Sequence, residues 1–272
     1  MNRAQLRLWI GGLVVLSGTA MAAGTALTAD QIIARSAAAR GGLEAWKKIH
    51  AMVWTGHIEA GGSAVGSVPF IMELGRPNKI HFEILVQNNK SMHIFDGDRG
   101  WDVRPKREGT PEVQDYSAQE VGYARDALGL DGPLMDYKAK GVNVVALGRD
   151  VVDGHKSYVL VLKLPSGVAD RVWIDTHSFL ELKSERQAAG NTGRKVSVYY
   201  RNYQNVQGLI VPMTIETGDG RVVTTDKMVI ERVELNAPLP DSAFTKPVFF
   251  NRHSVVSVGE SPAQNDPYPG NR

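Results

Sequence analysis

Side chains that could do acid–base or metal chemistry are scattered through this sequence rather than grouped. It has no serine nucleophile elbow, no paired-histidine zinc helix, no phosphate-binding loop and no Ser-x-x-Lys pattern. We therefore expect no catalytic residue, no metal and no cofactor, and a protein that is not an enzyme. The histidines, none at metal-ligand spacing from another, are His50, His57, His81, His93, His155, His177 and His253.

Two aspartate pairs offer the alternative, because paired carboxylates can share acid–base work. Asp96 with Asp98, and Asp131 with Asp136, stand in turn-like segments beside glycine. Aspartate next to glycine usually stabilises a turn. We therefore expect both pairs to be turn residues rather than catalysts.

One histidine could gain an acidic partner through a hairpin. If Asn88-Asn89 forms a two-residue turn, His81 lies opposite Asp96 and His93 lies opposite Ile84. The expected result is a surface ion pair of little energetic weight. A catalytic pair is the alternative.

The N-terminus has the features of a secretory signal. An apolar stretch, Leu8–Leu16, is followed by Ala20 and Ala22 in an A-x-A cleavage pattern. The stretch is shorter than the ~20 residues of a membrane span, and no cysteine follows it to carry a lipid. We expect residues 1–22 to be removed after Ala22 and the mature chain to be soluble in the periplasm of a Gram-negative bacterium. An uncleaved anchor is the alternative.

Composition narrows the possible partners. The chain has 31 basic and 29 acidic residues and no cysteine. Removal of residues 1–22 takes away Arg3 and Arg7 and no acid, which leaves 29 basic residues against 29 acidic ones. A formally neutral chain argues against a nucleic-acid partner and against strong attraction to an anionic membrane. Without disulfides, its stability must come from a core.

Apolar residues recur with period two from Met52 onward, which predicts strands. Short strands with tight turns indicate an antiparallel sandwich or barrel, because no room is left for crossover helices. The predicted strands are Met52–Ala60, Pro69–Leu74, Lys79–Gln87, Lys90–Asp96, Arg99–Val103, Val142–Arg149, Ser157–Leu164, Ala169–Asp175, Leu180–Gln187, Arg194–Asn205, Leu209–Thr217 and Val222–Leu235.

Two capping boxes predict where helices begin. Thr28 and Gln31 open a helix that Gly41-Gly42 ends. The segment Ser117–Leu128 opens with the same motif and lies between strands, so its helix must cover a barrel end or a sheet face. Residues 23–250 are expected to form one domain, and residues 251–272, which lose all periodicity, a disordered tail.

Apolar residues on the strands and on the inserted helix are candidates for a ligand cavity. Ordinary core packing is the alternative for each of them, and the pattern leaves open which side of each strand faces the cavity. The aromatic residues on strands are Trp54, Phe70, Phe82, Phe95, Trp101, Trp173, Tyr199 and Tyr200. The candidate lining residues are Phe82, Ile84, Phe95, Trp101, Val121, Leu128, Leu160, Leu162 and Trp173.

The order of several segments resembles the outer-membrane lipoprotein-sorting protein family, the LolA-like and LolB-like carriers. That resemblance implies a mainly β fold: an incomplete antiparallel barrel with an N-terminal helix and an inserted lid helix. It also implies lipoprotein acyl chains or lipid as cargo, and an envelope protein as a possible partner for delivery. The segments are Asp30–Arg35 with Gly41–Leu43, Phe70–Glu83, Phe95–Trp101, Arg201–Pro212, and Val233–Asn236 with Phe244.

These observations favour a non-enzymatic carrier or chaperone for hydrophobic cargo. The first alternative is an envelope-stress sensor of the same fold, which would be expected to have a further partner-binding domain. The second is a hydrolase whose site carries no recognised motif.

Overall fold

A computed structural model describes residues 26–60, 66–86, 89–127, 129–187, 195–218 and 226–249. The predicted signal peptide, the predicted tail, the candidate Leu128 and the Asn88 of the predicted turn lie outside these ranges. Within them, no helix is long and apolar enough to span a bilayer.

Within the described residues, thirteen strands form one antiparallel sheet that does not close. Its order is β6-β5-β4-β3-β2-β1-β13-β12-β11-β10-β9-β8-β7, so β1 pairs with β13 at the centre and β6 and β7 are the free edges. The predicted open antiparallel barrel is therefore confirmed. The strands are β1 (Ala51–Ala60), β2 (Val68–Gly75), β3 (Lys79–Val86), β4 (Asn89–Phe95), β5 (Gly100–Arg104), β6 (Glu112–Asp115), β7 (Asn143–Val152), β8 (His155–Lys163), β9 (Ala169–Asp175), β10 (Glu181–Gln187), β11 (Lys195–Val206), β12 (Leu209–Gly218) and β13 (Asp226–Leu235).

Both capping boxes are present. Helix α1 (Ala29–Ala39) is capped by Thr28, and helix α3 (Ala118–Asp126) is capped by Ser117, each with reciprocal side-chain and backbone hydrogen bonds. The short helix α2 (Leu43–Lys47) follows α1. Two 3-10 turns lie at Gly129–Asp131 and Asp241–Phe244.

The end of α1 is fastened to the sheet by a close backbone approach. A Cβ added at Gly41 would lie 2.4 Å from the carbonyl oxygen of Gly208, so a larger residue does not fit there. The Arg40 carbonyl accepts a hydrogen bond of 3.1 Å from the backbone N–H of Ile210 on β12. These contacts hold Arg40 over one face of the sheet.

We call the sheet face that packs against α1 and α2 the inner face. Trp46 of α2 packs there in a buried cluster that includes Met52 and Val211. Ile32 and Ile33 of α1 pack on Leu160 and Leu162 in a second buried cluster. Burial of such side chains contributes ~1.5–3 kcal/mol each, so these two layers supply much of the stability.

The β3–β4 hairpin turns at a different position from the predicted Asn88-Asn89 turn. Val86 pairs with Asn89, so the intervening residues are 87 and 88 rather than Asn88-Asn89. His81 therefore lies opposite Ile94, not Asp96, and His93 lies opposite Phe82, not Ile84. The expected pair of His81 with Asp96 is wrong, because a changed turn position shifts every partner along the ladder.

Candidate functional site

Residues 129–142, which we call the crossing segment, return from α3 to β7 across the inner face. Leu130 and Met135 are buried in the cluster around Trp46, and Leu134 is buried in the cluster around Ile32. The segment thus joins the two halves of the inner-face core. Its apolar anchors suit a fixed cover, whereas α3 has no buried residue.

Between the crossing segment and the sheet lies a cavity of about 330 Å³. Its volume falls in the ~300–1,000 Å³ range of small-molecule sites. Aromatic and aliphatic side chains line most of it, with charged groups at one side. The lining residues are Arg40, Trp46, Trp54, Met72, Leu74, Ile80, Ala127, Gly129, Leu130, Asp131, Gly132, Pro133, Glu181, Tyr200, Tyr203, Val211, Pro212 and Ile215.

A buried carboxylate fastens the crossing segment to the sheet. The side chain of Asp131 is 6% exposed and accepts a hydrogen bond of 2.8 Å from Arg76, which follows β2. It also accepts one from Lys140, which lies further along the crossing segment. Burial lowers the pKa of Lys140, although the hydrogen bond that Lys140 donates to Asp131 opposes that shift. The carboxylate is therefore a structural hub, and the turn role expected for Asp131 is only part of its function.

Arg40 and Glu181 bring a second pair of charges to the cavity. Their closest nitrogen and oxygen atoms are 3.8 Å apart, which is longer than a hydrogen bond. Arg40 also lies over the Trp46 ring, 4.4 Å from its centroid, and donates to the Asp131 carbonyl at 3.3 Å. Burial raises the pKa of Glu181, with Arg40 opposing the shift.

Two tyrosines line the same side of the cavity. The Tyr203 hydroxyl donates to the Glu181 carbonyl at 2.9 Å, and the Tyr200 hydroxyl shares a hydrogen bond of 3.1 Å with Ser184. Burial raises the pKa of Tyr200 to about 12, and the Glu181 carboxylate adds to that shift. Both hydroxyls therefore stay protonated at neutral pH and act as hydrogen-bonding groups rather than as bases.

Helix α3 crosses the open side of the barrel and is held by polar contacts. Asn78, in the β2–β3 turn, donates to the carbonyls of Ala124 at 3.3 Å and Arg125 at 3.2 Å. At the far side, the Ser166 hydroxyl of the β8–β9 turn donates to Asp126. The helix thus spans the two halves of the open sheet, and none of its residues is fully buried.

The predicted lining residues that the structure describes lie at four places: the inner face, the core beneath α1, the outer face and helix α3. Phe82, Ile84 and Phe95 share the inner face with Ile80, since their positions alternate in register. Leu160 and Leu162 have 0% exposure beneath α1, in the core. None of these five is among the residues that line the cavity.

The other described candidates lie elsewhere. Trp101 pairs with Ile94 and Trp173 packs with Val159, so both lie on the outer face of the sheet. Val121 is half-buried on α3. The sequence interpretation missed Arg40, Trp46, Glu181 and Tyr203, and it named Trp54 and Tyr200 only as strand aromatics. The sequence shows these aromatic and charged residues, but it does not show which side of each strand faces inward.

The remaining sequence candidates have structural roles. The Asp96 carboxylate accepts hydrogen bonds from the backbone N–H groups of Asp98 at 2.8 Å and Arg99 at 2.7 Å, as a turn aspartate does. His81 lies on the outer face, 3.1 Å from Glu73 and 3.9 Å from Glu83. Among the described residues, no group of three or more His, Asp or Glu side chains is arranged to hold a metal ion.

The open antiparallel barrel described above has the LolA-like fold, as three solved structures show. A LolA superfamily protein from Nitrosomonas europaea is 17% identical, with a TM-score of 0.55 over 81% of this chain and 99% of that one. A putative outer membrane lipoprotein-sorting protein domain from Vibrio parahaemolyticus is 14% identical, with a TM-score of 0.52 over 79% of this chain and 95% of that one.

The third structure is a DUF1329 family protein from Desulfovibrio piger, 11% identical, with a TM-score of 0.52 over 79% of this chain and 96% of that one. A family model described as an uncharacterized protein matches residues 134–249. No curated protein sequence matches the chain. These likenesses extend over most of the described residues and concern the fold.

Proposed function

We propose that this protein is a non-enzymatic carrier that holds an apolar chain in the inner-face cavity. The observation that carries the proposal is the cavity of about 330 Å³ under the crossing segment, lined by Trp46, Trp54 and aliphatic side chains. Well-packed interiors leave few voids larger than a water molecule. A covered space of this size and lining therefore suits a ligand.

The way the cavity is covered supports loading and release. An acyl chain gains ~0.8 kcal/mol for each CH₂ that it buries. Helix α3 is held through Asn78 and Ser166 by polar contacts that water can replace, and its apolar residues Val121 and Ala124 are only half-buried. A ligand of several methylenes can thus offset the free energy of opening. This balance suits reversible carriage rather than permanent storage.

The finer form of the proposal is a soluble periplasmic carrier of lipoprotein acyl chains or other lipid, with residues 1–22 removed on export and an envelope protein receiving the cargo. The shared fold with a lipoprotein-sorting domain supports this form. The cavity residues take over the binding role first expected at Phe82, Ile84 and Phe95. Those three side chains, on the same face, would extend the apolar path for a longer chain.

A pair of adjacent substitutions on β2 tests the proposal. Met72 lines the cavity, whereas its neighbour Ile71 is 43% exposed and, by alternation along the strand, lies on the outer face. Met72→Trp should fill the cavity and lower the affinity for the neutral probe phenylnaphthylamine at least about ten-fold, because a filled pocket loses the buried probe contacts. Ile71→Trp should bind as the wild type does. Equal binding by both variants, or no binding by the wild type, would refute the cavity as the site.

A further inference from the structure

The charged side of the cavity carries information about the cargo's head group. We propose, on the basis of the carrier function above, that the cavity binds a single-chain amphiphile with an anionic oxygen head, a carboxylate or a phosphate, and that the head lies between Arg40 and Trp54. The chain would lie along the aliphatic residues Met72, Ile80 and Ile215, which line the same cavity.

Arg40 is the first observation. Its side chain is 13% exposed, and guanidinium stays charged under all ordinary conditions. A buried charge is costly unless a partner lies at hydrogen-bond distance. The Glu181 carboxylate stops at 3.8 Å, and the Asp131 carbonyl at 3.3 Å is a neutral partner. An anionic head would complete the bidentate contacts for which a guanidinium is shaped.

Trp54 is the second and independent observation. It lines the cavity, and its indole Nε1–H is buried without a hydrogen-bond partner among the described residues. An indole nitrogen only donates, so the missing partner must be an acceptor. Buried donors left alone are uncommon and costly. A ligand oxygen that reaches the indole edge would supply the acceptor, whereas a plain hydrocarbon would not.

The charged groups at this side of the cavity leave Arg40 as the incompletely paired one. Arg76 and Lys140, which do not line the cavity, both engage Asp131, whereas Arg40, which lines it, has no carboxylate at hydrogen-bond distance. The Lys140 ammonium is disfavoured first by burial, and Arg76 and Arg40 also lower its pKa. Burial raises the pKa of Glu181, and Arg40 opposes that shift. One more negative group beside Arg40 would relieve this repulsion.

The test compares ligands that share a chain and differ in head group. Hexadecanoate, a lysophosphatidate of equal chain length, hexadecanol and hexadecylamine would displace phenylnaphthylamine from the full mature protein. The acid or the lysophosphatidate should bind at least about ten-fold more tightly than the alcohol, the effect of a charge-assisted hydrogen bond. The tighter of the two anions identifies the source of the head group. The amine should bind most weakly.

Affinity measurements on single-residue variants test where the head group binds. Arg40→Gln should remove the advantage of the anion over the alcohol, while the alcohol keeps its affinity. Trp54→Phe keeps the aromatic ring and loses the N–H, so it should lower anion affinity several-fold. Arg171→Gln, on an exposed position of β9, is the control and should change neither value.

The results separate the carrier function from the preference for an anionic head group. If the alcohol binds as tightly as both anions, the head-group inference is wrong and the carrier function stands. If none of the four ligands displaces the probe, both are wrong. If Arg40→Gln does not fold, the Trp54→Phe variant provides the test. Unchanged anion affinity in Trp54→Phe would refute the placement of the head group beside Trp54.

Discussion

At the scale of single residues, Asp131 shows how the cover of the cavity is fixed. Its carboxylate is 6% exposed and contacts two cations from different elements, Arg76 after β2 and Lys140 in the crossing segment. Removal of one member of a buried charge group leaves the others without compensation. The crossing segment is therefore fastened to the sheet through this carboxylate as well as through its apolar residues.

Asp131→Asn should lower the free energy of unfolding by about 3 kcal/mol, because it strands two partly buried cations. Urea unfolding of the wild type and the variant measures the change. Asp98, whose carboxylate is 86% exposed in its pair with Arg125, is the control. Asp98→Asn should cost less than ~1 kcal/mol. A similar loss of unfolding free energy in both variants would show that the Asp131 carboxylate does not hold the crossing segment in place.

Asp170 makes stability depend on pH. Burial raises its pKa to about 6, with Asp126 of α3 adding to the shift and Arg186 opposing it. The folded protein thus holds this proton more tightly than the unfolded chain. The resulting stabilisation is complete below about pH 4 and is lost as the pH rises through about 6.

Asp170→Asn should flatten this part of the stability profile and make the protein more stable near neutral pH. Urea midpoints from about pH 4 to about pH 7 give the profile, since the shift lies between those values. Asp98→Asn should keep the wild-type profile. A profile for Asp170→Asn that still falls across this range would assign the effect to another group.

At the scale of elements, α3 and the crossing segment differ in how they are attached. The crossing segment buries Leu130, Leu134 and Met135, whereas α3 buries none of its residues. Local opening is easiest where few apolar contacts are lost. We therefore propose that α3 is the cover that moves and that the crossing segment is the fixed one.

Val121→Asp should loosen α3 and lower cargo retention while the sheet still folds. Val121 is half-buried on α3, and burial of a full Val side chain contributes ~1.5–3 kcal/mol, so the expected loss of stability is at most that size. The rate of probe release measures the loosening. Gln119→Asp, on an exposed position of the same helix, is the control. Global unfolding by Val121→Asp would make α3 part of the structural core.

A disulfide offers the converse experiment. The natural chain has no cysteine, so an introduced pair has no competing thiol. The side chains of Asp126 and Ser166 are in contact across the mouth of the barrel. The double variant Asp126→Cys with Ser166→Cys should bind probe slowly when oxidised and at the normal rate when reduced. Equal rates in both states would show that cargo enters elsewhere.

At the scale of the whole molecule, the sequence predicted the architecture well because the local signals agreed. Both capping boxes start helices at the expected residues, and the strand pattern yields an open antiparallel barrel. Strand β6 was missed, because its four residues are polar or half-exposed and show no apolar alternation. The sheet therefore has one edge strand more than the pattern indicated.

The cavity was harder to predict because register is a tertiary property. Irregularities at Thr55/Gly56, Ala146/Gly148 and Glu181/Lys183 shift the pairing along three strands. Such shifts change which side chains face inward. Trp54 and Trp173 look alike in sequence, yet one lines the cavity and the other packs on the outer face.

The central claim is that the inner-face cavity holds an apolar chain, and native mass spectrometry of gently purified protein tests it most directly. We expect a wild-type species with an added lipid mass, released on organic extraction, and a bare protein mass for Met72→Trp, whose side chain fills the cavity. Ile71→Trp should keep the adduct. A wild-type protein without an adduct that also takes up none of the four added amphiphiles, or an adduct that persists unchanged in Met72→Trp, would contradict the account.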